Sequence, residues 1–167
     1  MNTEASQVQA VTRQLKSEQD LGRACVAGLL AAIVGALVWG AIGIATGYEV
    51  RFMSIGVGML VGYAVRLAGK GVSGSYGVVG VAATVLGCLL GNLLSVAGII
   101  SGEQGLTVVG VLSQLDYELA LELMMAFYQP LDSLFYGIAL VQGYRLSFRQ
   151  LSESEMALLL ANQRHLD

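Results

Sequence analysis

Charge is scarce in this chain. Only 13% of its 167 residues are Asp, Glu, Lys or Arg, about half of what a soluble domain carries. With 55% hydrophobic residues and a mean hydropathy of +0.67, that shortage excludes a disordered chain, a nucleic-acid binder and an ordinary soluble enzyme. One histidine, His165, and two cysteines, Cys25 and Cys88, offer no CxxC and no metal-ligand spacing. They cannot assemble a zinc, haem or iron–sulfur site within one chain, so no cofactor is expected. Proline occurs once and glycine 22 times. The length suits one domain, and the composition points to a polytopic membrane protein.

A bilayer core of roughly 30 Å needs about 20 apolar residues in helical form. Four stretches are read as spans, at about 24–46, 52–69, 76–100 and 131–148. The first and third are free of charge, the second is interrupted only by Arg66, and the fourth is shorter and more polar. The expected fold is therefore all-α, a four-transmembrane-helix bundle spanning 23–149.

Basic residues near spans collect on the cytoplasmic side. An inside N-terminus places Arg13, Lys16, Arg23, Arg66, Lys70, Arg145, Arg149 and Arg164 within, leaving Arg51 alone outside with Glu49, Glu103, Asp116, Glu118, Glu122 and Asp132. Both termini are expected in the cytoplasm. The segment 106–128 is long enough to span, but Asp116, Glu118 and Glu122 would each cost about 2.5–3.5 kcal/mol at mid-bilayer. It is read as an outer amphipathic helix over about 112–128, with Gln114, Glu118 and Glu122 on one face and Leu112, Leu115, Leu119, Leu123 and Phe127 on another. Pro130 opens the fourth span, and Asp132 suits its first turn.

The polar tail 1–22 lacks the pattern of a secretory signal; Val8, Val11 and Leu15 suit a short amphipathic turn. In the tail 150–167, Ser152 and Glu155 form a capping-box pattern that predicts a small cytoplasmic helix from about Glu153 to Asn162. Leu158 to Leu160 would then need cover.

Membrane helices associate by close packing, which small residues permit. Gly77, Gly80, Thr84, Gly87, Gly91, Ser95 and Gly98 form a seam of alternating three- and four-residue steps in the third span. Gly28, Ala32, Ala36, Gly40, Gly43 and Gly47 make a second stripe, and Ser54, Gly58, Gly62, Arg66 and Lys70 follow strict i+4 steps. Packing within one bundle is the plain reading, and a seam for self-association the alternative.

Candidate site residues are few. Arg66 either snorkels to the inner headgroups or, with Lys70, Tyr144 and Arg145, contacts an anion or lipid headgroup. Asn92 and Gln142 are polar groups at membrane depth that hydrogen-bond other helices; with Ser54 and Tyr63 they would line a path in a channel. Glu49, Arg51 and Asp132 are expected to form an outer interfacial ion cluster. No Asp, Glu or His lies at mid-membrane for ion coupling, and no Ser–His pair or facing aspartates suit intramembrane proteolysis. Cys25 and Cys88 lie at different depths, so they are read as packing residues rather than a disulfide. No catalytic site is expected.

Two blocks carry a resemblance. One runs Thr46-Gly-Tyr-Glu-Val-Arg-Phe-Met-Ser-Ile-Gly-Val-Gly and continues to Arg66 and Gly69-Lys-Gly; the other joins Leu131-Asp-Ser-Leu-Phe-Tyr-Gly-Ile-Ala to Gly143-Tyr-Arg-Leu-Ser-Phe. Together they resemble a widespread family of small bacterial four-span inner-membrane proteins of uncharacterised function. Some members carry a soluble or zinc-ribbon module ahead of the spans; here a polar tail without cysteine ligands stands in that place, so no such module is expected. The resemblance implies a multi-pass protein of the bacterial inner membrane and carries over no site residue. The leading functional expectation is a membrane scaffold or partner subunit, working in the lipid bilayer with a membrane-protein partner or as a homo-oligomer. A passive small-solute channel and an anionic-lipid-binding protein are the alternatives.

Overall fold

The computed structural model describes residues 13, 17, 19–114, 116–127, 129–150 and 157. The described residues are all helical or irregular, with no strand among them. Six helices follow in order among the described residues: α1 (Leu21–Thr46), α2 (Met53–Gly69), α3 (Gly74–Gln104), α4 (Val108–Gln114), α5 (Tyr117–Phe127) and α6 (Pro130–Arg145). The expected N-terminal turn near Val8–Leu15 and the helix at 153–162 lie outside the described residues.

Local chemistry sets the helix ends. The Asp20 carboxylate accepts the Arg23 N–H at 2.9 Å and caps α1. Gly47 ends α1 and Gly105 ends α3, each left-handed at φ 66°. Gly47 is thus a cap, and not part of the packing stripe to which its spacing assigned it. At α6, the Gln129 N–H donates to Asp132 Oδ2 at 2.7 Å in a capping box, with Pro130 at the first position.

α1, α2, α3 and α6 pack as an up-and-down bundle. α3 touches every other helix, whereas α1 and α6 do not meet. The ends are tied by the Asp20 N–H to the Gly69 carbonyl at 3.1 Å and the Arg149 N–H to the Gly71 carbonyl at 2.9 Å. The start of α1, the end of α2 and the chain after α6 therefore share one end of the bundle.

Size, more than polarity, separates inside from outside. The interior of α1 consists of Ala24, Gly28, Ala31, Ala32, Gly35, Ala36, Gly40 and Gly43 with one large residue, Trp39. Val57, Val61 and Val65 of α2 are fully buried beside Gly58 and Gly62. The seam residues Gly77, Gly80, Thr84, Gly87, Gly91, Ser95 and Gly98 all face inward from α3. A Cβ at Gly87 would stand 3.2 Å from Ala32 Cα, and one at Gly58 2.9 Å from Ala139 Cα, so backbones nearly touch. The large aliphatics point out: Leu29, Leu30, Val34 and Leu37 on α1, Leu86 and Leu89 on α3, Leu134 and Val141 on α6.

α1 and α3 are long and apolar enough to cross a bilayer by length and composition. α2 has 17 residues and α6 has 16, about 24–26 Å of helix each against a core of roughly 30 Å.

The single amphipathic helix expected over 112–128 is instead two short helices, α4 and α5. Asp116 breaks it by capping α5: its Oδ1 accepts the Leu119 N–H at 2.8 Å. An aspartate competes for backbone donors and prefers this end position. Gln114 therefore lies on a different helix from Glu118 and Glu122. Among the described residues both short helices touch only α3.

Candidate functional site

Polar side chains gather at the two ends of the bundle, held by different elements. At the end where α6 begins, Arg51, from the turn between α1 and α2, pairs with Asp132 at 2.7 Å and reaches Glu49 at 3.4 Å. Asn92 of α3 donates through Nδ2 to Glu49 Oε1 at 2.8 Å and to the Tyr136 hydroxyl at 3.1 Å. The Glu49 and Asp132 side chains are only 8% and 4% exposed, so two carboxylates share one guanidinium almost out of water. Burial raises the pKa of Glu49 and Asp132 adds to that, while Arg51 and the Asn92 hydrogen bond oppose it.

Beside this cluster a half-open cavity of about 320 Å³ lies between α3, α5 and α6. Asn92, Asp132 and Tyr136 form its polar end, and Val85, Cys88, Leu89, Met125 and Leu140 its apolar wall.

At the opposite end, Arg66, Leu67 and Lys70 of the α2 terminus face Arg149 and Gln150 across a recess of about 230 Å³. Arg66 donates to Gln150 Oε1 at 2.9 Å, and its guanidinium carbon lies 6.0 Å from the Tyr63 ring centroid. Lys70 caps α2 in the left-handed region at φ 48°.

Glu49, Arg51 and Asp132, expected to form an ion cluster, pair at this end, and Asn92, expected to hydrogen-bond another helix, bonds Tyr136 of α6 and also joins Glu49. Arg66 and Lys70 come together, but Tyr144 and Arg145 do not join them. The chain turns back after Arg145, and Arg149 fills that place because its N–H is anchored to Gly71. Tyr144 instead meets Phe148 edge-on at 5.1 Å between ring centroids and lies over Gly77.

The four residues named for a channel path stand apart. Ser54 is fully buried and donates to the Arg51 carbonyl at 3.0 Å. Tyr63 is exposed on α2, Gln142 borders an outer groove on α6, and Asn92 is engaged in the ion cluster. Packed Val57, Val61, Val65 and Trp39 occupy the interior between them.

Tyr136, Arg149 and Gln150 were not anticipated. Tyr136 had a readable signal, since it follows Asp132 by four residues and so shares its helix face; Arg149 and Gln150 depend on a turn no pattern announces. Among the described residues no three His, Cys, Asp or Glu side chains gather as metal ligands. Cys25 is exposed and Cys88 buried, both as free thiols.

Against family models, curated proteins and solved structures, nothing matches this chain.

Proposed function

We propose that this is a four-span integral membrane protein, with both termini cytoplasmic, that binds anionic lipid headgroups at its inner end. Membrane embedding is supported by the inverted size distribution. Lipid removes the solvent penalty on exposed Leu and Ile, and helices that cannot gain from hydrophobic burial gain from close approach at small residues. α2 and α6, being short, would span with local thinning of the bilayer at a cost of fractions of a kcal/mol per Å.

The observation that carries the functional reading is the recess where Arg66, Lys70 and Arg149 converge. Three cations around one opening suit a phosphate, which accepts charge-assisted hydrogen bonds from several donors at once. Gln150 holds Arg66 toward that opening. The part is one of binding, with lipid as the ligand and no bond made or broken.

Two measurements test this. Single cysteines at Tyr48, Ser73, Gln104 and Gln150, in a background lacking Cys25 and Cys88, are probed with a membrane-impermeant maleimide from outside cells. Four spans expose only positions 48 and 104; a chain crossing only by α1 and α3 exposes 48 and 73. In nanodiscs of mixed phosphatidylglycerol and phosphatidylcholine, native mass spectra should show phosphatidylglycerol adducts that Arg66→Leu removes. Unchanged adducts in the variant would overturn the lipid reading.

A scaffold or partner-subunit role is the second reading, favoured by α5. Among the described residues that helix touches only α3, and it leaves Leu121 and Met125 exposed. Under it, changing both residues to Ser should release a co-purifying protein, and an unchanged set of bound proteins counts against it.

A further inference from the structure

The cavity between α3, α5 and α6 lies at the other end of the bundle from the cationic recess and has the opposite electrostatic character. Its wall is aliphatic and sulfur-bearing over Val85, Cys88, Leu89, Met125 and Leu140, and among the described lining residues the hydrogen-bonding side chains are Asn92, Asp132 and Tyr136. Its volume, about 320 Å³, is that of a small-ligand site. Val85 and Leu89 are themselves partly exposed, so its mouth opens sideways between α3 and α6.

The charges around the polar end do not balance. Glu49 and Asp132 bring two carboxylates, and among the described residues Arg51 brings the one guanidinium that faces them. The other described groups packed there, Asn92 from α3, Tyr136 from α6 and the Gln129 N–H that donates to Asp132, are neutral, and among the described residues α5 contributes Met125. Both Asn92–Glu49 and Asn92–Tyr136 bonds use the amide nitrogen, so neither occupies the carbonyl oxygen of Asn92, a residue that lines the cavity. A buried surplus of negative charge with spare acceptors is satisfied by a donor-rich cation, and an ammonium has three donors and no acceptor.

We propose that this cavity binds an amphiphile with a primary ammonium head, placed against Asn92, Asp132 and Tyr136, and an apolar chain along Leu89 and Leu140. The same chemistry is offered by a free alkylamine and by the headgroup of an aminophospholipid. The site is separate from the Arg66 recess, so either reading can fail without the other.

The test uses the full chain in phosphatidylcholine nanodiscs and a ten-carbon primary amine carrying a diazirine, with the matching alcohol as control. After photolysis, peptide mass spectrometry should map the amine to residues 85–92 and 125–140, labelling about tenfold above the alcohol, as expected of a charge-assisted hydrogen bond. Glu49→Gln keeps a side chain able to accept from Asn92 and removes one charge; it should erase that preference. Leu140→Trp should block the cavity, with thermal stability measured alongside. Equal labelling by amine and alcohol, label outside these segments, an undiminished preference in Glu49→Gln, or full labelling of a folded Leu140→Trp each overturns the proposal. If Leu140→Trp does not fold, the probe comparison and Glu49→Gln decide. Adding phosphatidylethanolamine to the nanodiscs assigns the source: suppression of labelling identifies an aminophospholipid, and undiminished labelling a free amine.

Discussion

Lys70 stands with a left-handed backbone, φ 48° and ψ 28°, at the end of α2. Gly47 and Gly105 close α1 and α3 in the same way without cost. A non-glycine residue there costs about 1 kcal/mol, since its Cβ crowds the backbone. The lysine is thus a locally unfavourable choice at the rim of the cationic recess, where its charge has a use. Lys70→Gly should raise unfolding stability by about 0.5–1 kcal/mol while weakening phosphatidylglycerol retention, read by thermal denaturation and native mass spectrometry on the same sample. Loss of both properties together would mean that Lys70 serves the fold and not the headgroup. Lys70 and Arg66 were legible as a pair from their i+4 spacing. Arg149 was not, because its position follows from a backbone bond to Gly71 across 78 residues of chain (149 − 71).

Among elements, the α2–α6 contact is the most exacting, because Gly58 lies against the backbone of Ala139. Backbone cannot step aside as a side chain can, so Gly58→Ala must separate the helices and should cost about 1–3 kcal/mol. Gly56 of the same helix has no atom within 4 Å of where its Cβ would be. Gly56→Ala should therefore stabilise, by up to about 1 kcal/mol of helix propensity. Opposite signs two residues apart, measured as shifts in melting temperature, would separate packing from propensity; equal signs would refute the close-contact argument. α5 obeys a different rule, because its start depends on the Asp116 cap. Asp116→Ala should cost about 1 kcal/mol locally, seen as faster hydrogen exchange over 117–127 with the four-helix bundle unchanged. Amphipathic spacing suggested one helix here, since periodicity of apolar residues does not register a cap in its midst.

Across the whole molecule, the Glu49–Arg51–Asp132–Asn92 cluster joins the α1–α2 turn, α3 and α6. Burial raises the Glu49 pKa in the fold, so only in the pH interval between the ordinary and the raised value does the folded state hold a proton that the unfolded chain has released; above that interval Glu49 is ionised in both. Stability from this group is fullest below the ordinary glutamate range and is lost as pH rises through the raised value. Glu49→Gln should flatten that part of the stability curve, measured as melting temperature between acid and neutral pH. If the wild type and Glu49→Gln differ by a constant over the whole range, the coupling is absent.

The sequence by itself determined the helical class, the faces of α1, α2 and α3 that turn inward, and the segregation of basic from acidic ends. Each follows from local spacing and composition: small residues at three- and four-residue intervals define a face wherever the helix goes. Only the tertiary structure decided which polar groups meet. Asn92 finds Glu49 and Tyr136 more than forty positions away in opposite directions, and Arg66 finds Gln150 over 84. Such pairings depend on how four helices are staggered and where the chain turns between them. Those are set by backbone contacts at Gly58, Gly87 and Gly71 that no single helix contains.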